Sequence, residues 1–263
     1  MTQQFPTALI TGASGGIGQA LATCFAEQGY QLVLVARNVK ALNQVAGELT
    51  QQYRVPVKVL PQNLAQLGAA NLIVQELEAA QITVDVLVNN AGFGDFGYFW
   101  QRETARSLAM IQVNVTALTH LTHLLLPEMI AQGGGKILNV ASMAAFVPGP
   151  VMAVYYATKA YVLSFSEALA NELQGTGVSL TVLCPGPTTS GFHAAAQIQP
   201  LPPSSQQRLM DVQTVAQAGV AGLLRGQVIV VPGLKNQVLA LAIRVLPRPI
   251  VRSLVRRMQS ARE

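Results

Sequence analysis

Short runs of β-branched residues and leucine, apolar at nearly every position, alternate along the chain with longer stretches in which apolar residues recur every three to four positions. The runs are TALIT (7–11), QLVLVA (31–36), VKVL (57–60), VDVLVNN (84–90), KILNVAS (136–142), SLTVLCP (179–185) and QVIVVPG (227–233). The intervening stretches predict helices over 16–28, 39–53, 65–80, 103–131, 152–174 and 211–225. A strand without polar alternation is covered on both faces, the condition of a parallel sheet whose crossover helices pack on either side. The pattern therefore predicts one doubly wound α/β domain, with about seven parallel strands flanked by helices on both faces.

Two segments break the alternation. Residues 185–205, PGPTTSGFHAAAQIQPLPPSS, are rich in Pro, Ser and Thr and follow a strand, so they read as a long loop at the strand's carboxyl end, the edge where such sheets bind ligands. Residues 235–263 form a tail in which Pro247 and Pro249 divide a helical pattern into NQVLALAIRVL and IVRSLVRRMQ. No internal repeat or linker divides residues 1–234, which are expected to be a single domain.

Composition and charge narrow the partners. Residues 1–234 carry 10 Lys/Arg against 11 Asp/Glu, whereas residues 235–263 carry 7 against 1, so the net charge of +5 resides in the tail. No basic stripe interleaved with aromatics runs through the body, and nucleic acid is not an expected partner. Cys24 and Cys184 lie in apolar segments without metal-ligand spacing and read as buried free thiols of a reducing compartment. The N-terminus has no secretory pattern, and no apolar run approaches the roughly 20 residues that span a bilayer, so a cytoplasmic location is expected.

The first strand leads into a turn rich in glycine, TGASGGIG, and then a helix. Glycines permit positive φ and close approach of the backbone to a pyrophosphate, while free N–H groups at the helix start attract an anion. Gly12, Gly16 and Gly18 are spaced GxxxGxG rather than GxGxxG, so an ordinary tight turn remains an alternative. At the end of the second strand, where a carboxylate would bind the ribose 2′-hydroxyl of NAD, the chain has Ala36 and Arg37. A guanidinium there can pair with a 2′-phosphate and predicts a preference for NADP(H) over NAD(H), unless Arg37 is only a solvated surface residue.

Four features in order, TGASGGIG (11–18), NNAG (89–92), NVASMAA (139–145) and YYATK (155–159), resemble the classical short-chain dehydrogenases/reductases. The resemblance covers residues 7 to about 190 in the family's order and spacing. It implies a Rossmann-type subunit, usually a homodimer or homotetramer, that transfers hydride between a nicotinamide and a carbonyl or alcohol, with no metal. It also implies a catalytic group of Asn114, Ser142, Tyr155 and Lys159. The chemistry independently requires a proton donor beside the carbonyl oxygen, and a phenol serves. Lys159 is expected to lower the phenol pKa and hold the nicotinamide ribose, Ser142 to hold the substrate oxygen, and Asn114 to bind a water linking Lys159 to solvent. An isolated YxxxK could instead merely pack on an amphipathic helix. Helix geometry alone barely separates Tyr155 from Tyr156, and the family spacing selects Tyr155.

The cofactor set expected from the resemblance and the loops begins with Gly12, Ser14, Gly15, Gly16, Ile17 and Gly18. Arg37 follows the second strand, Asn63 and Leu64 the third, and Asn90, Ala91 and Gly92 the fourth. Tyr155 and Lys159 join them with Pro185, Gly186 and Thr188 from the loop after the sixth strand. Asn63 stands where the family prefers an aspartate near the adenine. His120 and His123 have metal-compatible spacing but no third ligand, and they read as groove or subunit-contact residues.

Substrate contacts are expected from Ser142, Phe93, Phe96, Trp100, Phe192 and His193, with Phe99 nearby, lining an apolar pocket for a lipophilic ketone, aldehyde, steroid-like or 3-oxoacyl compound. In the tail, Ile250, Val251, Leu254, Val255 and Met258 recur at helical spacing, with Arg252, Arg256 and Arg257 on the polar side. Such a helix either covers the pocket or a neighbouring subunit, the favoured reading, or makes a peripheral membrane contact. The functional expectation is an NADP(H)-dependent oxidoreductase. Its alternative is a non-catalytic, redox-responsive NADP(H)-binding scaffold, which the basic tail would place at a membrane surface.

Overall fold

The structure, a computed structural model, describes residues 5–192, 196 and 209–260, with the side chains of residues 258–260 excepted. Seven strands form one parallel sheet: β1 Thr7–Thr11, β2 Gln31–Ala36, β3 Val57–Pro61, β4 Val86–Asn89, β5 Gly135–Val140, β6 Val178–Leu183 and β7 Ile229–Val230. They are ordered β3-β2-β1-β4-β5-β6-β7. The sheet thus reverses direction of growth beside β1, and the crevice at the carboxyl ends of β1 and β4 is the ligand site of such topologies.

The crossover helices are α1 Gly16–Glu27, α2 Val39–Tyr53, α3 Ala69–Ala79, α4 Thr104–Ile111, α5 Leu118–Ala131, α6 Ala153–Glu172 and α7 Val212–Leu224. Successive strand residues point to opposite faces. On one face Ala8, Ile10, Leu32, Leu34 and Val88 meet Leu21 and Phe25 of α1, Leu42 and Val45 of α2, and Val220 and Leu223 of α7. On the other, Leu9, Val33, Leu87 and Ile137 meet Ile73 and Leu77 of α3 and Leu121, Leu125 and Met129 of α5. Two filled faces explain why these strands read as continuous apolar runs. Side chains cap the helices where the sequence places Asn and Asp: Asn38 accepts from the Ala41 N–H at 3.1 Å and Asp211 from that of Thr214 at 2.9 Å.

Three elements differ from the sequence expectation. The seventh strand spans two residues, because Pro232, two positions after Val230, cannot donate to a sheet ladder. The helix expected over 103–131 contains a π-helical segment, Gln112–Ala117, between α4 and α5. This stretch, Thr104–Ala131, is also long and apolar enough to cross a membrane by length and composition, contrary to the expectation from apolar runs alone. Met110, Leu118, Leu121, Leu125 and Met129 bury one side of it in the fold, as a core helix does.

The tail forms α8 Leu234–Val245 and α9 Arg248–Ser260, broken at Pro247 as expected. Of the loop expected over 185–205, the described part turns back through a bridge between Thr188 and Met210.

Candidate active site

Carboxyl ends of β1, β4, β5 and β6 open into a cavity of about 480 Å³. Its floor is the glycine-rich turn. Gly12 and Gly16 have φ of 67° and 55°, which only glycine adopts freely. A Cβ on Gly12 would lie 2.8 Å from Nδ2 of Asn90, and one on Gly18 would collide with the Gly12 carbonyl and the same amide. The turn is held from β4. Asn90 Nδ2 donates to the carbonyls of Thr11 (2.8 Å) and Gly12 (3.2 Å), and Thr11 Oγ1 accepts from the Asn90 and Ala91 N–H groups at 3.0 Å each. Thr11 was not among the expected site residues, although it opens the TGASGGIG motif. The result is a side-chain-free cradle at the start of α1 with the size and polarity for a dinucleotide pyrophosphate.

Gly12, Gly15, Gly16, Ile17, Gly18, Asn90, Ala91 and Gly92 all line the cavity, as do Pro185, Gly186 and Thr188 from beyond β6. Ser14, Arg37, Asn63 and Leu64 do not. Arg37 is exposed one residue past β2, beside the turn, because Gly12 N–H bonds the Val35 carbonyl at 2.7 Å. Asn63 Oδ1 accepts from its own loop at Ala65 N–H, 3.2 Å, and Leu64 is buried.

Ser142, Tyr155 and Lys159 converge on the opposite wall. Ser142 caps the 3-10 turn Met143–Phe146 after β5, its Oγ accepting from Ala144 N–H at 3.1 Å, and it shares a hydrogen bond with the Tyr155 phenol. Tyr155 and Lys159 lie one turn apart on α6, both buried. The adjacent Tyr156 also reaches the cavity, but its ring packs on Gly149, where a Cβ would overlap it.

The electrostatics differ from expectation. The net shift of the Tyr155 phenol is upward rather than downward. Burial pushes the phenol well above its ordinary 10, and the Ser142 hydrogen bond offsets this only in part. Burial also lowers Lys159 to about 8. The lysine Nζ donates to the Val140 carbonyl at 2.7 Å and stands 6.0 Å from the Tyr155 ring centre. Cys184, a buried free thiol next to this wall, is raised to about 12 by burial.

Asn114 is buried in the π-helical segment, and its amide is engaged on both ends. Oδ1 accepts from Phe93 N–H at 3.1 Å; Nδ2 donates to the Phe93 carbonyl and Thr158 Oγ1, each at 3.0 Å. The side chain therefore clamps the loop after β4 onto α6 instead of reaching toward solvent. Gly92 fits between the Asn114 amide and Lys159 because it lacks a Cβ: one would lie 3.1 Å from Oδ1 and 3.4 Å from Nζ.

Expected substrate aromatics are divided. Phe192 lines the cavity with its ring 5.0 Å from that of Tyr155. Phe93 and Phe96 instead pack into a cluster with Met110, Met152 and Tyr155 and do not line it. Trp100 is 76% exposed and stacks on Tyr98, away from the site, and Phe99 is exposed as well. An ion cluster explains the loop's course: buried Asp95 receives both Arg102 (2.6 Å) and Arg106 (2.8 Å), and Arg106 lies over Phe93. His193 lies outside the described residues. The remaining wall comes from the tail: Leu239 and Ile243 of α8 and Leu246, which the sequence did not single out, and Ile250, Val251, Leu254 and Val255 of α9, from the apolar face expected to cover the pocket or a subunit. This places the tail over the pocket. His120 is half-buried and His123 exposed. Among the described residues no group of three or more His, Cys, Asp or Glu side chains is arranged to hold a metal.

The short chain dehydrogenase family model matches residues 6–200. Sulfoacetaldehyde reductase 2 of Chromohalobacter salexigens is 39% identical over 186 residues, 70% of this chain and 73% of that protein. A short-chain dehydrogenase from Sphingobium yanoikuyae, solved in complex with NADPH, is 33% identical with a TM-score of 0.81 over 91% of this chain and 94% of that one. A bulky-bulky ketone specific alcohol dehydrogenase from Comamonas testosteroni is 30% identical with a TM-score of 0.77, covering 93% and 96%. The chain belongs to the short-chain dehydrogenase/reductase family and is a nicotinamide-dependent oxidoreductase.

Proposed function

We propose that this protein is an NADPH-dependent carbonyl reductase for a lipophilic ketone or aldehyde, with Tyr155 as proton donor. The observation that carries this reading is the buried Tyr155–Ser142 pair facing an apolar cavity continuous with the glycine cradle. The nicotinamide, when bound, supplies the hydride. Gly12, Gly16 and Gly18 would hold its pyrophosphate, Arg37 would pair with the 2′-phosphate and Lys159 would bind the nicotinamide ribose, while Asn90 holds the glycine-rich turn in place. Ser142 Oγ orients the substrate oxygen, and the phenol hydrogen moves from Tyr155 to that oxygen as charge develops on it. A phenol whose pKa is raised by burial keeps its proton at neutral pH, the state from which it can donate to the substrate oxygen. Lys159, at about 8, is mostly an ammonium at neutral pH and steadies the negative charge left on the phenol oxygen. Asn114 acts as a positioning residue by fixing the backbone at Phe93.

The NADPH complex of the Sphingobium relative supports the cofactor choice, and the bulky-ketone specificity of the Comamonas enzyme supports a large apolar substrate. Exposed Leu108 and Ile111 of α4 and Tyr161 of α6 would supply the contact of a homo-oligomer. The test is NADPH oxidation across bulky ketones, aldehydes, steroids and 3-oxoacyl thioesters, with wild type and Tyr155→Phe. Loss of the proton donor should reduce turnover by about 10²–10⁴-fold and spare NADPH binding. NADPH binding without turnover across the panel would instead favour the non-catalytic scaffold.

A further inference from the structure

The tail helix α8 has a second face that the pocket does not use. At about 100° per residue, Asn236, Leu239 and Ile243, which line the cavity, occupy one side of the helix. Leu234, Val238, Leu241 and Val245 fall within an arc of about 60° on the opposite side. These four are between 61% and 80% exposed. Lys235 and Arg244 project at about 90° to either side of that stripe, and both are exposed. Across the mouth, α9 continues the pattern: Ile250 and Leu254 line the cavity yet stay half-exposed, and Arg248, Arg252 and Arg257 are exposed.

An apolar stripe bordered by cations at the mouth of a cavity matches the interface of an anionic bilayer, where apolar side chains enter the acyl boundary and cations meet headgroups. A second copy fits poorly, because an isologous contact through this face would bring two sets of Lys235, Arg244, Arg248 and Arg252 together. A polyanion such as nucleic acid would leave the apolar stripe in water. We infer that α8 and α9 dock this protein on an anionic lipid surface with the cavity mouth facing the bilayer. The docking does not depend on the proposed reaction; if both hold, substrate reaches Tyr155 from the membrane without crossing water.

The test is cosedimentation of the full chain with vesicles of phosphatidylcholine alone or with about one third phosphatidylglycerol. Each basic residue near an anionic surface raises partitioning by about fivefold. Arg244→Glu/Arg252→Glu should therefore lower binding to the anionic vesicles by more than about 25-fold. Val238→Glu/Leu241→Glu should lower it by at least about tenfold, because the acyl boundary excludes charge. Neither pair lines the cavity, so NADPH binding in solution should match wild type in both and report an intact fold. Failure of the wild type to bind anionic vesicles, or undiminished binding by the folded variants, would overturn the inference. So would analytical ultracentrifugation in which either pair dissociates an oligomer without changing vesicle binding, since the face would then be a subunit contact.

Discussion

Replacing Lys159 by methionine should make the protein inactive and, at neutral pH, relieve it of a buried charge. Burial lowers the lysine from its ordinary 10.5 to about 8, which at about 1.4 kcal/mol per pH unit is a penalty of about 3 kcal/mol on the folded ammonium. The folded value lies below the unfolded one, so between pH about 8 and 10.5 the unfolded chain holds a proton that the folded chain has lost. Wild-type stability therefore carries the full penalty below about 8 and recovers it as pH rises toward 10.5. The variant has no such recovery. It leaves the Val140 carbonyl without its 2.7 Å donor, which costs about 1–3 kcal/mol, but that cost does not vary with pH. The assay is urea unfolding of both proteins from pH about 6 to about 10.5, with stability from the linear extrapolation. The stability difference, variant minus wild type, should shrink by about 3 kcal/mol across the upper half of that range. A difference that stays constant within about 0.5 kcal/mol would refute the assignment of a destabilised ammonium at Lys159.

Further expectations concern the cradle, the cofactor and the loop. Gly18→Ala puts a methyl group into the Gly12 carbonyl and should weaken NADPH binding at least about tenfold and cost about 1–3 kcal/mol of stability. Gly15→Ala, with extended backbone and no protein atom within 4 Å of the added methyl group, should leave stability unchanged, and an equal stability loss from the two would discredit the cradle geometry. Arg37→Ala should raise the Michaelis constant for NADPH by about 10–100-fold, as expected for loss of a charged hydrogen bond, and leave that for NADH unchanged. Asp95→Ala should cost about 1–3 kcal/mol by removing the shared partner of Arg102 and Arg106. Burial works to raise the Asp95 pKa, but the two arginines outweigh it and hold the carboxylate below its ordinary 3.8. Its contribution is thus present above 3.8 and lost on further acidification, so wild type and variant should converge in acid unfolding.

The sheet was legible because burial on two faces leaves its mark on every residue of a strand, as in Leu32, Val33, Leu34 and Val35. Ser142, Tyr155 and Lys159 were legible through the order and spacing of the family's motifs, since helix geometry alone barely separates Tyr155 from Tyr156. Side-chain orientation was less accessible. An apolar run such as FGDFGYFW does not say which ring faces the pocket, and the Asp95 ion cluster, formed with arginines seven and eleven residues later, decides it. The sign of the Tyr155 shift follows from how completely the folded chain buries the phenol, which spacing within α6 does not reveal. The tail's amphipathic pattern was visible, but only its packing distinguishes the face toward the cavity from the face toward the outside.

The π-helical segment at Gln112–Ala117 gives the long helix two reading frames. Its wider hydrogen-bonded turns accommodate residues that a uniform α-helix would rotate onward, and this lets the Asn114 amide face Phe93 while Leu118, Leu121 and Leu125 still face the core. Deleting one residue within 112–117 would remove the widened turn, leave both flanks in a single α-helical phase and displace the Asn114 amide from Phe93. Such a protein would gain a more regular helix and lose the tie between that helix and the loop after β4. Length, rather than side-chain identity, is the variable to which this part of the molecule should be most sensitive.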